Sequence, residues 1–288
     1  MLPLPLPLLR LVVLCGALMS AGANSVAAPA AVVTPHVIMD FQWKGHTVTR
    51  GLLSPAEFKA AAGPLWEVAE AEEAAAADKK MTDIGGGRTE GKPLPFVQMH
   101  NPHKRHSSAR RLALSPMLAA TAAALLGVAS VRLYQDSLFF KRPGNKETAW
   151  HADLWTVPMN TNHFITVWLP LHRVKANGSP LYYCSRDEED GGGDGKERPP
   201  PGAFGEHYAP LAEGDATWHH GWTVHGAPPL TDAVSGGRLA YTAMFYSDEV
   251  PVTGEALDAL AARRRGHSFI EVDSVSASSM GGRVPGLY

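Results

Sequence analysis

Residues 150–155 contain a histidine and an aspartate two positions apart, His151 and Asp153. In an extended segment, side chains alternate between two faces, so this pair is expected to point the same way. A neutral imidazole and a carboxylate are two of the three ligands of a 2-His-1-carboxylate site, which binds non-haem Fe(II) and leaves coordination positions open. The three-residue pattern is common by chance, and in isolation it favours a paired His and Asp on a strand.

A third ligand is expected to be a histidine from a distant strand. The candidates after the His-Asp pair are His163, His172, His207, His219, His220 and His225. His225 is favoured because it lies at the end of a short predicted strand, before a Gly-Ala-Pro-Pro turn, where a side chain can reach the mouth of a barrel. His219 and His220 are close rivals, although packing or hydrogen bonding beside the site suits them equally well.

Arg238 follows His225 by 13 positions (238 − 225) and shares a predicted strand face with Ala240 and Thr242. A strand arginine is usually an exposed charge. Here the small neighbours leave room in front of a guanidinium, whose fork of donors suits bidentate capture of a carboxylate. The sequence therefore predicts an anion contact at Arg238.

A second cluster of histidines, His100, His103 and His106, has the spacing H-x-x-H-x-x-H. Basic residues crowd it, no carboxylate is near in sequence, and Pro102 argues against a helix that would align the rings. We interpret this segment as a solvated basic loop, with an anion contact to substrate as the alternative.

The composition is that of a soluble globular chain of 288 residues with a net charge of −2, which offers no basic field for nucleic acid. An apolar run after Arg10, followed by Ala21-Gly22-Ala23, predicts a secretory signal over residues 1–25 and a secreted or extracellular protein. An organellar transit peptide is the alternative. No membrane span is expected once the leader is removed, and the sequence does not indicate an oligomeric state.

The rest of the chain divides into a linker over residues 26–44, one domain over 45–250 and a poorly defined tail over 251–288. The Ser54–Glu57 capping box predicts a helix that begins at Pro55, breaks at Gly63-Pro64 and resumes at Leu65. From Val131 onward short strands dominate. We predict a mainly β fold with flanking helices, in a jelly-roll barrel.

Several motifs together resemble the phytanoyl-CoA dioxygenase family, in order and spacing, from about residue 45 to 248. They are YQDSLFFKRPG at 134–144, TAWHAD at 148–153, TVWLPL at 166–171, NGSPL at 177–181 and GDATWHHGWTVHG at 214–226. The resemblance implies a double-stranded β-helix fold and an Fe(II)- and 2-oxoglutarate-dependent dioxygenase, with ascorbate as a candidate reductant. Such an enzyme uses dioxygen to hydroxylate an aliphatic carbon of a small or lipid-like substrate and releases succinate and CO₂.

The resemblance also assigns roles to particular residues. It implies that His151, Asp153 and His225 are the iron ligands, and that Arg238 and Trp168 contact 2-oxoglutarate. It places Ser137 among the residues lining the co-substrate site, and Lys141 in a Lys-x-Pro turn without a settled role.

The sequence departs from the family pattern at two places within the motif region, and its signal-like leader is unusual beside the peroxisomal setting of the best-known member. Ala227 stands where the family often has a hydroxyl residue that bonds oxoglutarate, and an acidic, Gly-rich loop over 184–200 replaces a Pro-Gly-Ser-His turn. These departures keep open a non-catalytic, metal-binding jelly-roll module. A zinc hydrolase with the same three ligands is less favoured, because Arg238 and Trp168 would have no purpose in it.

Overall fold

The computed structural model describes residues 32–78, 96–157, 159, 161–185, 205–231 and 236–247. The predicted leader, the predicted tail and most of the acidic loop lie outside the described residues. Four helices and nine strands form the described part. The helices are α1 (Pro35–Lys44), α2 (Pro55–Asp78), α3 (Ser107–Ala113) and α4 (Pro116–Leu126). The strands are β1 (His46–Thr49), β2 (Val97–His100), β3 (Val131–Lys141), β4 (Thr148–His151), β5 (Phe164–Pro170), β6 (Tyr182–Tyr183), β7 (Ala216–His220), β8 (His225–Ala227) and β9 (Arg238–Ser247).

Two antiparallel sheets make up the β structure. The larger has six strands in the order β1-β7-β5-β9-β3-β2, and the smaller has three in the order β4-β8-β6. The mainly β fold with flanking helices that the sequence predicts is confirmed. None of the helices in the described ranges has the length and apolarity needed to cross a bilayer.

The two faces of the larger sheet have different partners. On β5, Ile165, Val167 and Leu169 belong to the main hydrophobic core, together with apolar residues of the four helices. Thr166 and Trp168 point the other way and line a cavity of about 470 Å³. This is the alternation that the sequence predicts for residues 164–169. The helices therefore cover one face of the sheet, and the opposite face is left for the site.

Residues 35–44 of the predicted linker over 26–44 form helix α1, and residues 26–31 lie outside the described residues. Pro35 occupies the first turn, the Thr34 hydroxyl accepts a hydrogen bond from the Val37 N–H, and Gly45 ends the helix in the left-handed conformation. These are strong start and stop signals. Phe41 is buried in the core, so the segment is held by packing.

Helix α2 corrects the predicted break at Gly63-Pro64, because it runs without interruption from Pro55 to Asp78 with Pro64 inside it. A proline has no N–H, so the carbonyl four residues earlier, that of Ala60, loses its helical donor. The Arg111 guanidinium of α3 donates to that carbonyl over 3.2 Å. The predicted capping box is confirmed, since the Ser54 N–H donates to Glu57 Oε2 over 2.8 Å.

Candidate metal centre

The two candidate histidine ligands lie opposite each other in the smaller sheet. His151 ends β4, His225 begins β8, and the two residues are paired in the antiparallel register. Asp153 begins a short 3-10 helix, Asp153–Trp155, immediately after β4. Ala152 is still extended, with φ −109° and ψ 140°. The predicted alternation therefore holds up to Ala152, and the chain turns at the aspartate.

The three side chains converge on a single point. Their candidate ligand atoms all lie within 4.8 Å of one another. Asp153 Oδ1 is 3.8 Å from His151 Nε2 and 3.8 Å from His225 Nε2. The structure thus selects His225 from the six candidates and brings together all three predicted metal ligands.

Hydrogen bonds determine which nitrogen of each imidazole faces this point. His151 Nδ1 lies 2.8 Å from the Ala149 carbonyl, and His225 Nδ1 lies 3.0 Å from the Thr223 carbonyl. A carbonyl only accepts, so each Nδ1 carries the proton and each Nε2 presents its lone pair. Two such nitrogens and one carboxylate oxygen fit a non-haem Fe(II) ion with open positions.

The electrostatics favour the protonation states that bind a metal. Burial by itself would raise the pKa of Asp153, but the hydrogen bond from His219 and the neighbouring imidazoles lower it far below its ordinary value. Burial lowers the pKa of His225 well below 6.5, and the nearby imidazoles of His219 and His151 lower it further. The carboxylate is therefore ionised and the His225 imidazole neutral at physiological pH.

The two rival histidines on β7 face opposite ways. His219 points into the cavity, where its Nε2 lies 3.1 Å from Asp153 Oδ2. His220 points to the helix side, where its Nε2 lies 2.7 Å from the Asn162 carbonyl. The alternation of side chains along β7 could have distinguished the two histidines in the sequence, since Trp218 and His220 share the face that packs against the helices.

Arg238 lies buried in the same cavity as the triad. Its Nη1 donates to the Ser179 carbonyl over 2.8 Å, its Cζ lies 5.4 Å from the centre of the Trp168 ring, and its Nε has no partner among the described residues. Burial lowers its pKa to about 10, which leaves it charged at neutral pH. A buried cation with an unsatisfied donor fits the distal carboxylate of 2-oxoglutarate.

Lys141 is the cross-strand neighbour of this cation. It pairs with Arg238 across β3 and β9, its Nζ donates to the Pro228 carbonyl over 3.2 Å, and it lies 4.8 Å from the centre of the Phe96 ring. Burial lowers the pKa of Lys141 from 10.5 to about 7, and the Arg238 charge lowers it further. Lys141 is thus a buried group and not a surface charge.

Ser137 lies on the cavity side of β3, but its hydroxyl is bonded to wall residues. Its Oγ lies 2.8 Å from His100 Nδ1 and 3.2 Å from Gln135 Nε2. His100 and Gln135 line the cavity themselves, as do Gln98 and Thr242. The sequence analysis does not assign these polar residues to the site, because Gln98 and His100 lie on the short strand β2 and the side that Gln135 and Thr242 face depends on strand pairing. A co-substrate contact at Ser137 stays a prediction.

The histidine series at 100–106 does not form the predicted solvated loop. Pro102–Lys104 is a short 3-10 helix that leads into α3, and His103 is buried. A hydrogen bond joins His103 Nδ1 to Asp136 Oδ1 over 2.5 Å. The carboxylate that appeared to be missing near this histidine comes from β3, 33 positions later in the chain.

Comparison with known proteins agrees with this geometry. A sequence profile of the phytanoyl-CoA dioxygenase (PhyH) family matches residues 41–235, more than half of the chain. The chain belongs to the phytanoyl-CoA dioxygenase family. The family resemblance expected from the motifs is confirmed. A search of curated proteins found no match.

Solved structures show the same fold. The carbocyclase SnoK from nogalamycin biosynthesis aligns with a TM-score of 0.62 and 20% identity over 84% of this chain and 93% of its own. AviO1 from Streptomyces viridochromogenes Tue57 gives 0.56 and 19% over 79% and 99%. The epimerase SnoN, in complex with Fe³⁺, alpha ketoglutarate and nogalamycin RO, gives 0.55 and 23% over 76% and 85%. The predicted jelly-roll fold is confirmed, and the expected iron and 2-oxoglutarate are the groups that the SnoN complex holds.

Proposed function

We propose that this protein is an Fe(II)- and 2-oxoglutarate-dependent dioxygenase that hydroxylates an aliphatic carbon of a small or lipid-like substrate. The observation that carries the proposal is one cavity holding both the His151, Asp153 and His225 triad and the buried cation Arg238. The balance is one C–H bond, one dioxygen and one 2-oxoglutarate consumed, with one C–OH, one succinate and one CO₂ formed. Ascorbate is the reductant proposed to keep the iron ferrous.

Each residue has a defined task in this reaction. The triad would hold iron through three protein atoms, and the bound iron and 2-oxoglutarate would supply the activation of dioxygen. Arg238 would bind the distal carboxylate and so orient the co-substrate towards the metal. Trp168 would pack beside the guanidinium and exclude water from this ion pair. The remaining cavity would place the substrate.

The decisive experiment measures succinate formed from 2-oxoglutarate with ferrous iron and ascorbate, over a panel of candidate substrates. We expect Asp153→Ala to abolish turnover, because the metal loses its only anionic protein ligand. Asp153→Asn tests the same point with less change of shape, and Asp40→Ala on α1 is the matched control. Wild-type turnover in a folded Asp153→Ala protein would refute the ligand assignment.

A non-catalytic metal-binding module of the same fold is the second candidate. It is supported by Ala227, a buried residue of β8 without a hydroxyl for the co-substrate. Metal binding without any release of succinate or CO₂ across the panel would favour this candidate. The chemistry of the related carbocyclase and epimerase makes cyclised and epimerised products worth scoring in the same assay.

For location, we propose the secretory pathway, supported by the signal-like segment over residues 1–25. An organelle reached through a transit peptide is the alternative. N-terminal sequencing of the mature protein from its native source would show whether the leader is cleaved.

A further inference from the structure

We propose that His219 is a positioning residue that makes Asp153 bind the metal through one oxygen only. The inference rests on the proposed function only in taking the triad as the metal site. It concerns how many coordination positions the protein leaves open, and nothing in the family resemblance assigns that task to this residue.

The two oxygens of Asp153 have different neighbours. Oδ1 faces the two candidate ligands, at 3.8 Å from His151 Nε2 and 3.8 Å from His225 Nε2. Oδ2 lies 2.5 Å from Thr166 Oγ1 and 3.1 Å from His219 Nε2. An ionised carboxylate only accepts, so the hydroxyl and the imidazole both donate to Oδ2. One oxygen is thus left for the metal, while the other is held by the protein.

The three histidines around Asp153 carry their protons on different nitrogens. His151 and His225 are protonated at Nδ1 because a backbone carbonyl lies beside each, which frees Nε2 to bind a metal. His219 has no hydrogen-bond partner at Nδ1 among the described residues, and its Nε2 proton points to Oδ2. The backbone around each ring therefore decides which histidines act as ligands and which one acts as a donor.

The ring of His219 is also fixed in place. It is 1% exposed, its centre lies 4.0 Å from that of the His225 ring, and the Tyr183 ring lies 5.5 Å away. A donor that cannot move away keeps Oδ2 engaged throughout. A carboxylate bound through both oxygens would occupy a fourth position on the metal, one of those that the co-substrate and dioxygen require.

The test uses Mn(II) as the probe, with no substrate and no turnover. An octahedral ion held by three protein atoms keeps about three waters, which water-proton relaxation can count. His219→Phe keeps an aromatic ring at this position but removes the N–H that donates to Oδ2. We expect about one water fewer, as Oδ2 joins the metal, and a change in Mn(II) affinity of about tenfold.

Two further variants complete the design. His219→Gln keeps an N–H donor and should retain most of the wild-type water count. His220→Phe makes the same substitution one position along the same strand, on the helix side, and should leave both quantities unchanged. Circular dichroism establishes that each variant is folded.

His219→Leu also removes the donor, and it carries the test if His219→Phe does not fold. Thr166→Val removes the second donor to Oδ2 with little change in the shape of the side chain, and it measures how much Thr166 adds to the effect of His219. Wild-type water count and affinity in a folded His219→Phe or His219→Leu protein would overturn the inference. A wild-type protein that fails to bind Mn(II) would instead refute the triad, and with it the proposed function.

Discussion

At the scale of single residues, Arg238 offers a direct test of co-substrate binding. Replacing it with alanine should weaken 2-oxoglutarate binding by about ten- to a hundredfold, because a buried charge-assisted contact contributes roughly 1.5–3 kcal/mol. Isothermal titration of the Mn(II)-loaded protein with 2-oxoglutarate measures this. Arg173→Ala, an exposed arginine in the loop after β5, is the control. An unchanged affinity in Arg238→Ala would remove this residue from the co-substrate site.

Single residues also show how far sequence reasoning reaches. The family motifs taken together nominate His151, Asp153 and His225 as the triad, whereas the His-x-Asp spacing alone leaves the third ligand open. It does not reveal that His219 bonds Asp153, since the contact joins residues 66 positions apart and depends on which face of β7 is inward. Nor does it reveal which ring nitrogen carries a proton, because backbone carbonyls decide that.

At the scale of elements, Pro64 and Arg111 should be energetically coupled. A proline inside a helix costs about 3 kcal/mol, so Pro64→Ala should raise the free energy of unfolding by roughly 1–3 kcal/mol. The new N–H would then bond the Ala60 carbonyl and replace Arg111 as its donor. Arg111→Ala should therefore cost roughly 1 kcal/mol in the wild type and less in Pro64→Ala.

Urea unfolding of the two single variants, the double variant and the wild type measures this coupling. Arg110→Ala, an exposed neighbour on the same helix, serves as the control. An equal cost of Arg111→Ala in both backgrounds would show that the bond to Ala60 does not support the helix.

Elements were predicted well where local signals decide them. The cap of α2 and the alternation along β5 depend on neighbouring residues, and the structure has them as expected. The continuity of α2 depends on an arginine 51 positions away, and the burial of His103 depends on an aspartate in another strand. Such long-range contacts leave no trace in local sequence, which is why the break and the solvated loop were wrong.

At the scale of the whole molecule, the buried Lys141 should impose a pH dependence on stability. Its pKa is about 7 in the folded protein against an ordinary 10.5, so the unfolded chain binds more protons between these values. The free energy of unfolding should therefore rise as pH rises from about 7, by at most about 1.4 kcal/mol per unit. Burial raises the pKa of Tyr241, which opposes this trend near pH 10.

Chemical unfolding at several pH values between 7 and 9, without co-substrate, measures this slope. Lys141→Met should flatten it, because methionine fills a similar volume without a charge. Lys175→Met, at an exposed lysine, should leave the slope as it is in the wild type. If the free energy of unfolding of Lys141→Met still rises with pH as in the wild type, another group is responsible for the pH dependence.

The smaller sheet is held by few backbone bonds. Its strands β4, β8 and β6 have 4, 3 and 2 residues, against 11 and 10 for β3 and β9, two paired strands of the larger sheet. An ion bound by His151, Asp153 and His225 would connect strands β4 and β8 and the turn at Asp153. Metallation should therefore slow amide hydrogen exchange in residues 148–153 and 225–227 and leave that of β3 and β9 unchanged. The part of the cavity wall formed by the smaller sheet would therefore become rigid only in the protein that has acquired its metal.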